Sequence, residues 1–265
     1  MAAATVTALR VGLSDSDDFD PTKSYTKPIK FETDFVGHGT TVIDLELANE
    51  TGFYAKFFSP LKLDASGGTE GDETGEWLVS YDAITAVTQL PACGSADGGR
   101  CVATTDATSG ERISMQLTGA AFKFAVGRPL IFKWKGSFGA TTGDCFIGLA
   151  VTGATDPHAS RPLGFVAFTR TAGAGWQFAS GDGAADTASA ALTTATNHTA
   201  NTDQTLCMWW DGVAQVDFYV DGSFKASATL TLPLDLVLSP VICVESNGAA
   251  ESISSDALLV CGKRA

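Results

Sequence analysis

Charge is scarce in this chain. Only 18% of its 265 residues are Asp, Glu, Lys or Arg, and the acidic ones outnumber the basic ones 30 to 17, for a formal net charge of −13. Without clustered Lys and Arg there is no electrostatic footprint for DNA, RNA or an anionic membrane surface. Long apolar runs are missing too: none approaches the ~20 residues of a membrane span. Residues 1–13, MAAATVTALRVGL, have no charged segment followed by an apolar one, so no secretory leader is expected and synthesis in a cytoplasm is. The six Cys form no CxxC pair and no cluster with the three His, which removes the usual zinc patterns. No GxGxxG, P-loop or GxSxG is present, so nucleotide binding and nucleophile-elbow hydrolysis have no support. Helical periodicity, βαβ alternation and internal repeats are likewise absent.

Apolar residues make up 45% of the chain, with 28 Gly and abundant Thr, Ala and Ser. That composition suits one large domain of short strands and tight turns. The organising stretch is Leu206 to Ser227, LCMWWDGVAQVDFYVDGSFKAS. Apolar runs flank Asp211-Gly212, and a second Asp-Gly follows at Asp221-Gly222. Asp-Gly supplies the positive φ of hairpin turns. Val216, Phe218 and Val220 alternate with Gln215, Asp217 and Tyr219, the period of a strand buried on one face. The expectation is strand, turn, strand, turn, strand at the centre of an antiparallel sheet. Trp209 and Trp210 are neighbours on such a strand and therefore face opposite sides. One belongs to the core; the other is left for a sheet edge, a neighbouring molecule or a sugar.

Residues 1–30 read as an extended arm, with an acidic run at residues 14–18 and punctuation by Pro21 and Pro28. Residues 31–265 read as one domain. Strands are expected near 53–58, 77–81, 112–117, 130–138, 145–152, 164–170 paired with 175–180, 236–245 and 257–261. Residues 181–201, rich in Ala and Thr, read as a linker too poor in large side chains to be core. Cys145, Cys207, Cys243 and Cys261 lie in apolar runs, where Cys acts as a small hydrophobe. Cys93 and Cys101 bracket the Gly-rich loop CGSADGGRC, which leaves open a short disulfide or two thiols.

Several pieces share a pattern: FKWKGSF, then CFIGLAV, then GFVAFTRTAGAGWQFASGDG, then TLCMWWDGVAQVDFYVDGSFKAS, then SDALLVCGKRA. Together, residues 110–262 resemble the concanavalin A-like jelly-roll domains of tailed-phage virion proteins. The resemblance implies an all-β, antiparallel jelly-roll sandwich. It implies a structural bacteriophage protein of the capsid decoration, or cement, type: a non-enzyme on the capsid surface, with the major capsid protein as partner, self-association, a trimer among the options, and no cofactor. A carbohydrate-binding module of a tail fibre or receptor-binding protein is the alternative it allows.

The same fold hosts glucanases and lectins, so candidate sites are weighed directly. Retaining glucanases of this fold set carboxylates along one strand, commonly as Glu-x-Asp-x-x-Glu, so that alternate residues enter one cleft. The nearest run here is Asp44-Leu45-Glu46 with Glu50 beyond it, in the wrong order and spacing. Carboxylates on a wet strand face account for it, and hydrolysis ranks last. Calcium would need clustered oxygens on adjacent loops. Asp182 with Asp186, or Glu245 with Asn247, are the candidates, and neither makes a dense ligand loop. His38, His158 and His198 all fall in turn-like surroundings. Trp77, Trp134, Trp176, Trp209 and Trp210 are the side chains able to stack on sugar rings, with packing the competing role.

Overall fold

The computed structural model describes residues 30–31, 41–42, 50–56, 73–74, 77–82, 92–93, 100–117, 122–139, 143–151, 164–171, 175–182, 186–187, 199–213, 215–228, 232–234 and 236–263. The described residues are all-β, as the turn-rich and helix-poor sequence predicts, and contain no helix. The arm expected over residues 1–30 lies outside them except for Lys30.

One eight-stranded sheet, here the first sheet, runs β13 (Asp186–Thr187), β12 (Gln177–Gly181), β11 (Phe165–Arg170), β10 (Asp144–Val151), β17 (Leu238–Glu245), β8 (Arg112–Leu117), β5 (Trp77–Asp82) and β4 (Glu73–Thr74). The second sheet runs β16 (Ser223–Ala228), β15 (Val216–Val220), β14 (Gln204–Trp210), β9 (Leu130–Phe138), β18 (Ser252–Lys263), β7 (Cys101–Thr104) and β6 (Ala92–Cys93). In it, β3 (Glu50–Lys56) joins the far half of β18, beyond the stretch that β7 occupies. A separate pair is formed by β1 (Lys30–Phe31) and β2 (Thr41–Val42). All strand pairings are antiparallel. Most expected strands appear within a residue or two of their predicted limits. The difference is in the small-residue stretch 181–201, where Asp186–Thr187 adds an edge strand to β12. Backbone pairing at an edge needs no large side chain.

The two sheets pack face to face, with alternate residues of each turned inward. Leu206, Met208 and Trp210 from β14, Val216, Phe218 and Val220 from β15, and Cys145, Ile147 and Leu149 from β10 belong to one core. Phe178 and Phe168 of the first sheet meet Phe218 of the second, with centroids 3.3 Å and 5.7 Å away. Such ring contacts add to the area each Phe removes from water. Buried indoles find acceptors: Trp134 Nε1 donates to Ser255 Oγ at 3.0 Å and Trp176 Nε1 to Gln204 Oε1 at 3.1 Å. The first sheet is also apolar on its other side, where Phe146, Ala150, Phe165, Ala167, Ala179, Val241 and Cys243 form a second buried cluster.

One end of the sandwich is closed by a buried ion pair. Arg170 Nη2 lies 3.4 Å from Glu251 Oε2 and donates to the Gly143 carbonyl at 2.8 Å; the Gly143 N–H donates to Glu251 Oε2 at 2.6 Å. The guanidinium also sits over the Phe138 ring, 5.2 Å from its centroid. The node joins β11 of the first sheet to the segment entering β18 of the second.

The organising hairpin takes the expected form. Val220 pairs with Ser223 across Asp221-Gly222, with φ of 51° and 72° at the two turn residues. Two positive φ values define the type I′ turn, whose twist matches that of the strands. Asp221 Oδ1 also accepts the Thr205 N–H at 2.7 Å, tying the turn to the start of β14. The first Asp-Gly behaves differently. It opens a longer loop, in which Asp211 Oδ1 accepts the Val213 N–H at 2.7 Å and, among the loop's described residues, Gly212 alone is left-handed, at φ 80°.

Candidate functional site

The adjacent tryptophans take opposite faces. Trp210 is in the core, edge-on to Phe124 at 6.0 Å, with Nε1 donating to the Ala125 carbonyl at 3.4 Å. Trp77, Trp134 and Trp176 are buried as well. Trp209 is only half-buried, on the outer face of the second sheet, where it and Tyr219 pack on Ile131 and Cys207.

Three aromatic side chains line that face on successive strands: Trp209 on β14, Tyr219 on β15 and Phe224 on β16. Tyr219 and Phe224 are register partners with ring centroids 5.7 Å apart at 70°. Phe224 is 55% exposed. A β-bulge puts it there. Phe218 pairs with Ala226, but Tyr219 pairs with Phe224, so Lys225 is the extra residue. Without the bulge Tyr219 would face Lys225, and Phe224 would fall opposite inward-facing Val220. Bulges re-aim side chains in this way. Nothing in the alternation of the sequence signals it.

Asp217 stands among the rings. It is the register partner of Trp209 on one side and Ser227 on the other. Its Oδ1 accepts from the Ser227 hydroxyl and from Gln215 Nε2, the latter at 3.3 Å. Burial, then the charge of Asp217, raises the Tyr219 phenol above its ordinary pKa. Beyond this patch, Lys135 and Asp256 pair at 2.9 Å. Lys133, register partner of Cys207, is 2% exposed, and burial lowers its pKa. The outer face is therefore open at the β14–β16 edge and covered over β9. Chemically, the open part offers flat apolar surfaces beside a fixed hydrogen-bond acceptor.

The other candidates do not gather. Asp44, Glu46, His38, His158 and His198 lie outside the described residues, and Glu50 opens β3. Asp182 follows β12 and Asp186 starts β13; Glu245 ends β17 and Asn247 is exposed in the turn beyond. Among the described residues no three His, Cys, Asp or Glu side chains are grouped to hold a metal ion. Cys93 and Cys101 are register partners on β6 and β7, and the Cys101 thiol donates to Met115 Sδ at 3.7 Å. Burial pushes the thiols of Cys145 and Cys207 up to about 12 and about 11. One carboxyl was not anticipated. Glu111, fully buried, accepts the Asp106 N–H at 2.8 Å, and burial together with the Asp106 carboxyl raises it to about 7.

Two facing antiparallel sheets of this order make the chain a concanavalin A-like jelly-roll sandwich. Among solved structures it is similar to an endo-1,3-β-glucanase from Streptomyces sioyaensis, with a TM-score of 0.54 and 15% identity over 83% of this chain and 99% of that one. It is similar to the carbohydrate recognition domain of Emp47p, at 0.53 and 10%, over 83% of this chain and 100% of the other. A prokaryotic β-1,3-1,4-glucanase from a mouse hindgut metagenome aligns at 0.52 and 10%, over 79% and 98%. Enzymes and a binding domain thus share the architecture, and the likeness is one of fold. No protein-family model matches the sequence, and no curated protein does.

Proposed function

We propose that this chain is a non-catalytic carbohydrate-binding sandwich that engages glycan through Trp209, Tyr219 and Phe224. The observation that carries the reading is the exposed aromatic row. The other four tryptophans are in the interior, while the outer face of β14–β16 presents three rings with a carboxylate beside Trp209. Aromatic faces cover the apolar faces of sugar rings while a fixed acceptor takes their hydroxyls. The fold neighbours named for carbohydrate recognition or hydrolysis agree with this reading. Against hydrolysis, none of the described strands carries two carboxylates, so the paired acid and nucleophile of a retaining glucanase have no shared strand. The test is a glycan array followed by titration calorimetry. Trp209→Ala is expected to weaken binding about tenfold, the loss of roughly one stacked ring face. No binding to any glycan at millimolar concentration would end this reading.

A second reading is structural: a virion decoration protein seated on a major capsid protein and on copies of itself. Its support is an apolar tip. Val126 and Val213 are 73% and 70% exposed on neighbouring loops joined by the Gly127 N–H to the Gly212 carbonyl at 2.6 Å. Exposed apolar groups on a fixed tip suit burial against another protein. Antibody-gold labelling of particles from the source separates the readings. Label over heads favours decoration, label on tails favours glycan adhesion, and unlabelled particles remove the virion placement.

A further inference from the structure

We infer that Asp217 makes the aromatic face selective for amine-bearing sugars, that is, hexosamine chains whose amino groups are free and cationic. The inference rests on the carbohydrate-binding reading and adds the ligand class. Asp217 is held from both sides: its Oδ1 accepts from Ser227 Oγ and Gln215 Nε2. Among the described residues its other oxygen accepts no hydrogen bond, and no Lys or Arg pairs with it. Trp209 is its register partner and Tyr219 lies two residues along the same strand face. A half-exposed carboxylate beside two aromatic residues, with no counter-cation among the described residues, is the composition that attracts cations, since ring faces and carboxylate act with the same sign. A sugar hydroxyl would be served equally well by a neutral acceptor. The basic groups on the neighbouring strands do not pair with it. Lys133 is buried as the register partner of Cys207, Lys135 is committed to Asp256, and Lys225 is the bulge residue on β16, out of register with Asp217. The chain as a whole carries −13, which adds long-range attraction for a cationic chain and repulsion for uronates.

The experiment is titration calorimetry on the whole protein with glucosamine oligomers, their N-acetylated counterparts and oligogalacturonate, at a pH below the amine pKa and at two salt concentrations. The free-amine oligomers are expected to bind about fivefold tighter than the acetylated ones, the upper range for a part-exposed charge pair. That margin should shrink with salt, and the uronate should bind weakest. Asp217→Asn, isosteric and half-exposed, should erase the difference in affinity between the free-amine and the acetylated oligomers, whatever the absolute affinity of either. Equal binding of the amine and acetylated forms, or a preference that survives in Asp217→Asn, overturns the selectivity and leaves the carbohydrate reading standing. Binding of none of the three overturns both.

Discussion

Arg170 and Glu251 meet inside the sandwich with 1% and 0% of their side-chain surface exposed. Two charges so placed are held by each other and by Gly143, which gives the guanidinium a carbonyl and the carboxylate an N–H. Breaking such a pair from one side strands the other charge in the interior. Arg170→Met or Glu251→Gln alone should therefore cost about 3–5 kcal/mol of stability in urea unfolding. The double replacement Arg170→Met, Glu251→Gln should cost less than the two singles together. Strict additivity would mean that the residues do not act as a pair.

Trp209 and Trp210 separate surface from core within one dipeptide. Trp210→Ala should lose about 3–5 kcal/mol, the range for emptying a buried aromatic site. Trp209→Ala should lose no more than about 1 kcal/mol, because its ring is already half in water. Equal losses, read by thermal or urea unfolding, would place both rings in the interior.

Glu111 gives stability a pH dependence of definite sign. Its folded pKa of about 7 lies above the 4.5 of a free carboxyl. A raised carboxyl favours folding fully below about pH 4.5, and that contribution is lost as pH rises through about 7. Wild-type protein compared with Glu111→Gln should therefore lose relative Tm between about pH 5 and pH 8. A difference in Tm that stays flat over that interval would show that Glu111 keeps its proton equilibrium on folding.

Thiol labelling reports the interior of the sheets. Cys145 and Cys207 are buried with pKa values pushed far up, so little thiolate exists near neutral pH. Both should resist iodoacetamide in the native protein and react once guanidinium unfolds it, as peptide mass spectrometry would record. Rapid native labelling would mean that the sandwich opens at Cys145, or that Trp209 and Tyr219 lift away from Cys207.

The parts legible in the sequence are those that local chemistry determines. The Asp221-Gly222 turn, the alternation in β15 and the opposite faces of Trp209 and Trp210 each follow from a few adjacent residues. Which of the two tryptophans faces outward does not, because it depends on where the other sheet lies. The Lys225 bulge is equally silent, since SFKAS reads as an ordinary strand until its register with β15 is known. Arg170 and Glu251 stand 81 positions apart, and nothing near either one marks it as buried. Glu111 looks like any loop carboxylate until the chain folds over it. Asp217 is visible only as the polar member of an alternating strand; its place beside Trp209 and its hold by Ser227 come from pairing on both sides.

The position of β18 bears on how the protein comes to be folded. This strand lies between β9 on one side and β7 with β3 on the other, all of them translated long before it. While the ribosome is still making residues 139–251, those three strands lack the strand that pairs with all of them in the finished sheet. Contacts that join residues 50–56 to residues 257–263 close very long loops, and topologies dominated by such contacts fold slowly. The second sheet can close only once β18, which joins β9 to β7 and β3, has been made.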